Sequence, residues 1–142
     1  MAIRVLFLCT GNSARSQIAE GLLHHIGGSR FQVYSAGTSP RPTVHPMAVR
    51  VMAEEGVDIR EQHPKDVQHF EGQRFDYVIT VCDRARESCP ILPGAEMIHW
   101  SFPDPAEAQG EEAQHEAFHQ TLVEMKKRVA LFATVAKSAG AA

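Results

Sequence analysis

Cys9-Thr10-Gly11-Asn12-Ser13-Ala14-Arg15-Ser16 sets a thiol ahead of an arginine where a short apolar run, Val5-Leu6-Phe7-Leu8, gives way to a helical pattern. A strand that turns straight into a helix points backbone N–H groups at the turn, and the helix dipole adds positive potential. Gly11 and Asn12 both tolerate positive φ, so the residues Thr10 to Arg15 are expected to curl into an anion nest. Arg15 can grip a tetrahedral oxyanion through two parallel hydrogen bonds. The same field predicts a lowered Cys9 pKa, with Ser16 hydrogen-bonded to the thiolate. The expected chemistry is attack by sulfur on the centre of a bound oxyanion.

Two further thiols lie in Val81-Cys82-Asp83-Arg84-Ala85-Arg86-Glu87-Ser88-Cys89-Pro90. Their spacing suits neither a zinc site nor a Cys-x-x-Cys redox pair. On a helix Cys82 and Cys89 would stand about 10 Å apart along the axis. A disulfide needs Cα atoms within about 7 Å, so bonding them requires that helix to unwind. The charged residues between them tolerate water, and oxidation is therefore expected to act as an order-to-disorder switch. A third polar segment, Trp100-Ser101-Phe102-Pro103-Asp104-Pro105, holds an aspartate kept extended by the proline after it. Taken alone, Asp104 reads as a turn residue.

These segments need a scaffold. Ile3–Leu8, Phe31–Ala36, Tyr77–Val81 and Glu96–Trp100 read as short strands. Helical patterns run from about Ala14 to Gly27-Gly28 and from His45-Pro46 to Gly56. A long final helix is marked by Phe118, Leu122, Met125, Val129 and Phe132. Between Ile59 and Gly72 the pattern is mixed, a loop with a short helix. Alternating strands and helices imply an α/β fold, a single-domain three-layer sandwich whose four-stranded parallel sheet carries helices on both faces. Residues 1–137 make that domain, and 138–142 form a flexible tail. Ligands of such sheets bind where strands end, which directs attention to the loops after strands one, three and four.

The 142 residues are 44% hydrophobic and 22% charged, with a net charge of −3, which is ordinary globular composition. It excludes disordered and collagen-like chains and gives no overall basic bias for nucleic acid. No apolar run reaches membrane-spanning length, and the N-terminal patch is too short for a signal peptide. Three cysteines argue for thiol chemistry rather than a disulfide framework, in the cytoplasm. His115-Glu116-Ala117-Phe118-His119 matches a zinc-protease motif, but it falls on the final amphipathic helix and is read as two surface histidines.

The stretch Cys9 to Ser16, continued by Gln17-Ile18-Ala19-Glu20-Gly21, resembles the phosphate-binding loop of the low-molecular-weight protein tyrosine phosphatase fold. Its Thr-Gly-Asn-Ser-x-Arg-Ser-Gln wording is similar to the thioredoxin-coupled arsenate reductase branch, which often has cysteine at the position of Ala14. The resemblance spans nearly the whole chain. It implies a three-cysteine relay in which Cys9 is the nucleophile, Cys82 and then Cys89 follow, and thioredoxin reduces the final Cys82–Cys89 disulfide. It makes Asp104 the general acid and arsenate the substrate. Ala106-Glu107-Ala108 offers no aromatic wall for a phosphotyrosine ring, which favours a small inorganic anion. The alternative is a phosphatase needing only Cys9, Arg15 and Asp104; a non-catalytic oxyanion or redox sensor is a further one. No tightly bound cofactor is implied. Some relatives bind potassium through positions matching Asn12, Glu20, Ser35 and Asp66. A monomer suffices for all of this.

Overall fold

The computed structural model describes residues 2–82 and 94–137. Cys89 and most of its loop, and the 138–142 tail, lie outside the described residues. The strands are β1 (Ile3–Cys9), β2 (Phe31–Gly37), β3 (Tyr77–Thr80) and β4 (Glu96–His99), and the helices are α1 (Arg15–Gly27), α2 (Pro46–Glu54) and α3 (Glu111–Val135). All strand pairings are parallel, in the spatial order β2-β1-β3-β4. The strand and helix boundaries fall within one or two residues of those expected from periodicity.

The order of strands explains the site. β1 is central, so it is buried from both sides, and Val5, Leu6, Phe7 and Leu8 are inaccessible to solvent. Because β1 stands between β2 and β3, the loops after all three strands meet at one edge. In register, Cys9 sits beside Gly37, and Leu8 beside Thr80.

Side chains alternate across the sheet and pack against different layers. On one face Phe7 meets Trp100, while Phe31, Tyr77 and Trp100 meet Phe132 of α3. The expected α3 stripe of Phe118, Leu122, Met125, Val129 and Phe132 is buried throughout. On the other face Tyr34 packs on Phe70 and Phe75, with Phe70 carried by a 3-10 turn at Val67–Phe70. α1 closes on the segment after α2 through Gly21: a Cβ there would lie 2.6 Å from Ile59 Cγ2 and 2.8 Å from Met52 Cε. Met47, Met52 and Met125 fill the core, as their positions on apolar faces suggested.

Candidate active site

The turn from β1 into α1 is a cradle whose carbonyls all face away from it. The loop that follows β2 binds four of them. Thr38 N–H donates to Cys9 O (3.2 Å), Ser39 N–H to Thr10 O (2.9 Å), Arg41 N–H to Gly11 O (2.9 Å) and His45 N–H to Ser13 O (2.9 Å). Gln17 Nε2 donates to Asn12 O at 2.9 Å, and Ile18 N–H to Ala14 O at 2.9 Å. The Ser13 hydroxyl adds a bond to Thr43 O at 3.0 Å. With each carbonyl held on the outside, the N–H groups of this turn are left for the concave side. No side chain caps the start of α1, which leaves its first N–H groups to the same cavity.

Asn12 makes the reversal. Its φ is 48°, the sole positive value among the described non-glycine residues. The strain is held by three bonds: Asn12 Nδ2 donates to Ser16 Oγ (2.8 Å), Lys65 N–H donates to Asn12 Oδ1 (2.8 Å), and Gln17 holds the carbonyl. Gly11, expected to share the positive φ, does not. A Cβ on it would lie 3.2 Å from Arg41 Cγ, so a larger residue there would displace the Arg41 side chain by a few tenths of an ångström. Gly37 is tighter still: a Cβ there would stand 2.6 Å from Thr10 O and 3.0 Å from Asn12 N. The Ser16 hydroxyl oxygen accepts from Asn12 Nδ2 and so braces the turn.

Arg15 leaves the helix start and crosses the cavity. Its Nη1 donates to Phe102 O at 2.8 Å, and Nη2 lies 3.9 Å from Asp104 Oδ2. Its Nε is the one buried side-chain nitrogen or oxygen without a partner among the described residues. A buried donor is costly to leave unpaired, so this N–H marks where an anion oxygen belongs. Asp104 caps the 3-10 turn Pro105–Glu107 by accepting from Ala106 N–H (3.0 Å). The capping bond fixes the carboxyl at the cavity wall. The cavity is about 800 Å³ and is lined by Cys9, Arg15, Cys82 and Asp104 together with Arg41 and His45.

The two described thiols share this floor. Cys9 and Cys82 are buried and not joined in a disulfide, and Thr10 Oγ1 stands 3.3 Å from Cys82 Sγ. The expected low Cys9 pKa is not what this arrangement gives. The hydrogen bond shared with Cys82 and then burial push the Cys9 thiol up, against the lowering by Arg15 and by the Thr10 N–H. The cradle field acts in the expected direction but is outweighed. The neighbouring Cys82 and burial favour the protonated Cys9 thiol.

Arg41 and His45 were not singled out by the sequence, because attention fell on the loops after β1, β3 and β4. The signal was available: β2 pairs with β1, so its following loop had to reach the same edge. His45 Nδ1 accepts from Met47 N–H at 3.0 Å, which places the ring proton on Nε2. Burial, and to a lesser extent Arg41, lower its pKa, while Asp104 opposes them.

Three of the residues matched to a potassium site, Asn12, Glu20 and Ser35, are engaged with one another or with Lys65. Ser35 Oγ donates to Glu20 Oε1 at 2.5 Å, and Asn12 Oδ1 is engaged by the Lys65 N–H. Asp66 is exposed and caps the turn that follows it through Gln68 N–H. The cation beside Glu20 is the chain's own: Lys65 Nζ lies 3.8 Å from Glu20 Oε1. His115 pairs with Glu54 at 2.8 Å on the surface, and no metal-holding group of three or more His, Cys, Asp or Glu occurs among the described residues.

Residues 4–140 match the low molecular weight phosphotyrosine protein phosphatase family. An arsenate reductase from Halalkalibacterium halodurans is 42% identical over 135 residues, 94% of this chain and 96% of the relative. One from Bacillus subtilis is 40% identical, with the same shares covered. The solved thioredoxin-dependent arsenate reductase of Corynebacterium glutamicum superposes with a TM-score of 0.66 at 32% identity, over 92% of this chain and 63% of that one. The chain belongs to the low molecular weight phosphotyrosine protein phosphatase family and groups with its arsenate reductases.

Proposed function

We propose that the protein reduces arsenate to arsenite through Cys9, Cys82 and Cys89, with thioredoxin as the electron donor. The observation that carries this reading is a second buried thiol, Cys82, which lines the same cavity as the candidate nucleophile at the floor of an anion cradle and lies 3.3 Å from Thr10 Oγ1. Hydrolysis of a phosphoester has no use for it. The relatives called arsenate reductases supply the substrate, and the relative from C. glutamicum supplies the class of reductant.

Arsenate enters with its oxygens toward the N–H groups of residues 10–15 and the unpaired Arg15 Nε. Cys9 passes its proton to an oxygen of the bound arsenate dianion, its sulfur forms a bond to arsenic, and the displaced hydroxyl leaves as water after taking a proton from Asp104. Cys82 thiolate then attacks Cys9 Sγ. The sulfur–arsenic bond breaks with its electron pair going to arsenic, which leaves as arsenite, and a Cys9–Cys82 disulfide remains. Thr10 Oγ1 donates to the Cys82 thiolate and steadies it before attack. Cys89 thiolate displaces Cys9 from Cys82, which transfers the disulfide to Cys82–Cys89. A dithiol of the thioredoxin type takes up that bond, so two electrons pass per arsenate. A reducing compartment such as the cytoplasm suits three working thiols.

Cys89→Ser tests the order of steps. The variant is expected to release one equivalent of arsenite and stop with a Cys9–Cys82 disulfide, identified by peptide mass. Repeated turnover of Cys89→Ser with thioredoxin as sole reductant would overturn the relay.

A further inference from the structure

We propose that Arg41 is a specificity-determining residue that makes the site prefer an inorganic tetrahedral oxyanion over an organic phosphoester or phosphonate. The proposal deepens the arsenate reading and rests on the cradle as the anion site.

Arg41 is pinned at its backbone and unpaired at its head. Its N–H is bound to Gly11 O at 2.9 Å, on the tip of the cradle. Its stem lies flat over Gly11: the position of a Gly11 Cβ is 3.2 Å from Arg41 Cγ, 3.2 Å from Nε and 3.3 Å from Cδ. The guanidinium therefore begins directly above the turn that holds the anion, and it lines the same cavity as Arg15. Among the described residues no carboxylate lies within ion-pair distance of it and no side-chain hydrogen bond holds it. The other arginines that meet the protein's polar groups are engaged: Arg60 with Asp58, Arg50 with Glu54 and Glu111, and Arg15 with Phe102 O.

Arg15 gives one Nη1 donor to Phe102 O and keeps its Nε for an anion oxygen deep in the cradle. A tetrahedral anion seated against the cradle directs its fourth oxygen out of the mouth, toward the rim where Arg41 stands. In arsenate or phosphate that oxygen is free and accepts from a guanidinium. In an ester or phosphonate the organic group takes its place, offers no such acceptor and crowds the guanidinium. Exposure of the Arg41 head limits the gain to that of a partly solvated charge-assisted bond.

The test is calorimetric binding to the reduced full-length protein, with inorganic phosphate and phenylphosphonate as probes. Neither probe needs the thiol relay, so failure of the reductase reading and failure of this proposal are distinguishable. Arg41→Ala is expected to weaken phosphate about 5- to 30-fold and to change phenylphosphonate by less than about twofold. Arg41→Lys, which keeps the charge without the fork, is expected to recover part of the phosphate affinity. Any substitution but proline keeps the backbone bond to Gly11, and an unchanged Tm confirms that the cradle is intact. Equal weakening of both probes, or no weakening of phosphate, would overturn the proposal.

Discussion

Replacing Cys82 by alanine should make Cys9 a stronger acid. The hydrogen bond shared with Cys82 is the foremost cause of the raised Cys9 pKa, ahead of burial, and Arg15 and the Thr10 N–H oppose it. Cys82→Ala removes the first cause and leaves both opposing groups in place. A hydrogen bond that favours one protonation state is worth about 1.5–3 kcal/mol, and 1.36 kcal/mol corresponds to one pH unit. The Cys9 midpoint should therefore fall by about one to two pH units, and the thiolate fraction at neutral pH should rise by about 10- to 100-fold. The assay is the pH dependence of iodoacetamide alkylation, with Cys9 followed by peptide mass. Comparing Cys89→Ser with Cys82→Ala/Cys89→Ser removes the competing thiols from the second sample. An unchanged or higher midpoint would refute the argument that the neighbouring Cys82 favours the protonated Cys9 thiol.

Gly37→Ala forces a Cβ to within 2.6 Å of Thr10 O, a backbone atom that cannot rotate away. It should cost about 1–3 kcal/mol by urea unfolding and reduce phosphate affinity at least tenfold, because the cradle must shift. Lys65→Met leaves the half-buried Glu20 carboxylate without its ion-pair partner, at a cost of about 1–2 kcal/mol near pH 7. Burial raises the Glu20 pKa above 4.5, and Lys65 lowers it, so loss of Lys65 raises it further. The penalty is therefore full above the raised Glu20 value and disappears as the pH falls below it and Glu20 takes up a proton. Unfolding of both proteins across pH 4 to 8 checks the sign. Because Lys65 supplies the cation beside Glu20, exchange of potassium for sodium should leave the wild-type Tm unchanged.

The parts of this molecule legible in its sequence are those written in side-chain period and motif. The Phe118–Phe132 stripe, the Gly27-Gly28 stop and the Cys9-to-Arg15 turn each carry a local pattern, and each lies where that pattern put it. The cradle's support was not legible, because it consists of backbone bonds from Thr38, Ser39, Arg41 and His45 that leave no mark on residue type. The protonation of Cys9 depends on Cys82, far along the chain, and on burial that no local field argument includes. The same holds for Glu20. The family resemblance implied a cation ligand there, and only the fold brings the Lys65 ammonium to it.

The most direct test of the account is arsenate-dependent NADPH oxidation by the purified protein with thioredoxin and thioredoxin reductase, run beside p-nitrophenyl phosphate hydrolysis. The account predicts sustained oxidation that requires arsenate and is lost in Cys9→Ser and Cys82→Ser. Brisk hydrolysis unaffected by Cys82→Ser, with no arsenate-dependent oxidation, would contradict it and leave a phosphatase built on Cys9, Arg15 and Asp104.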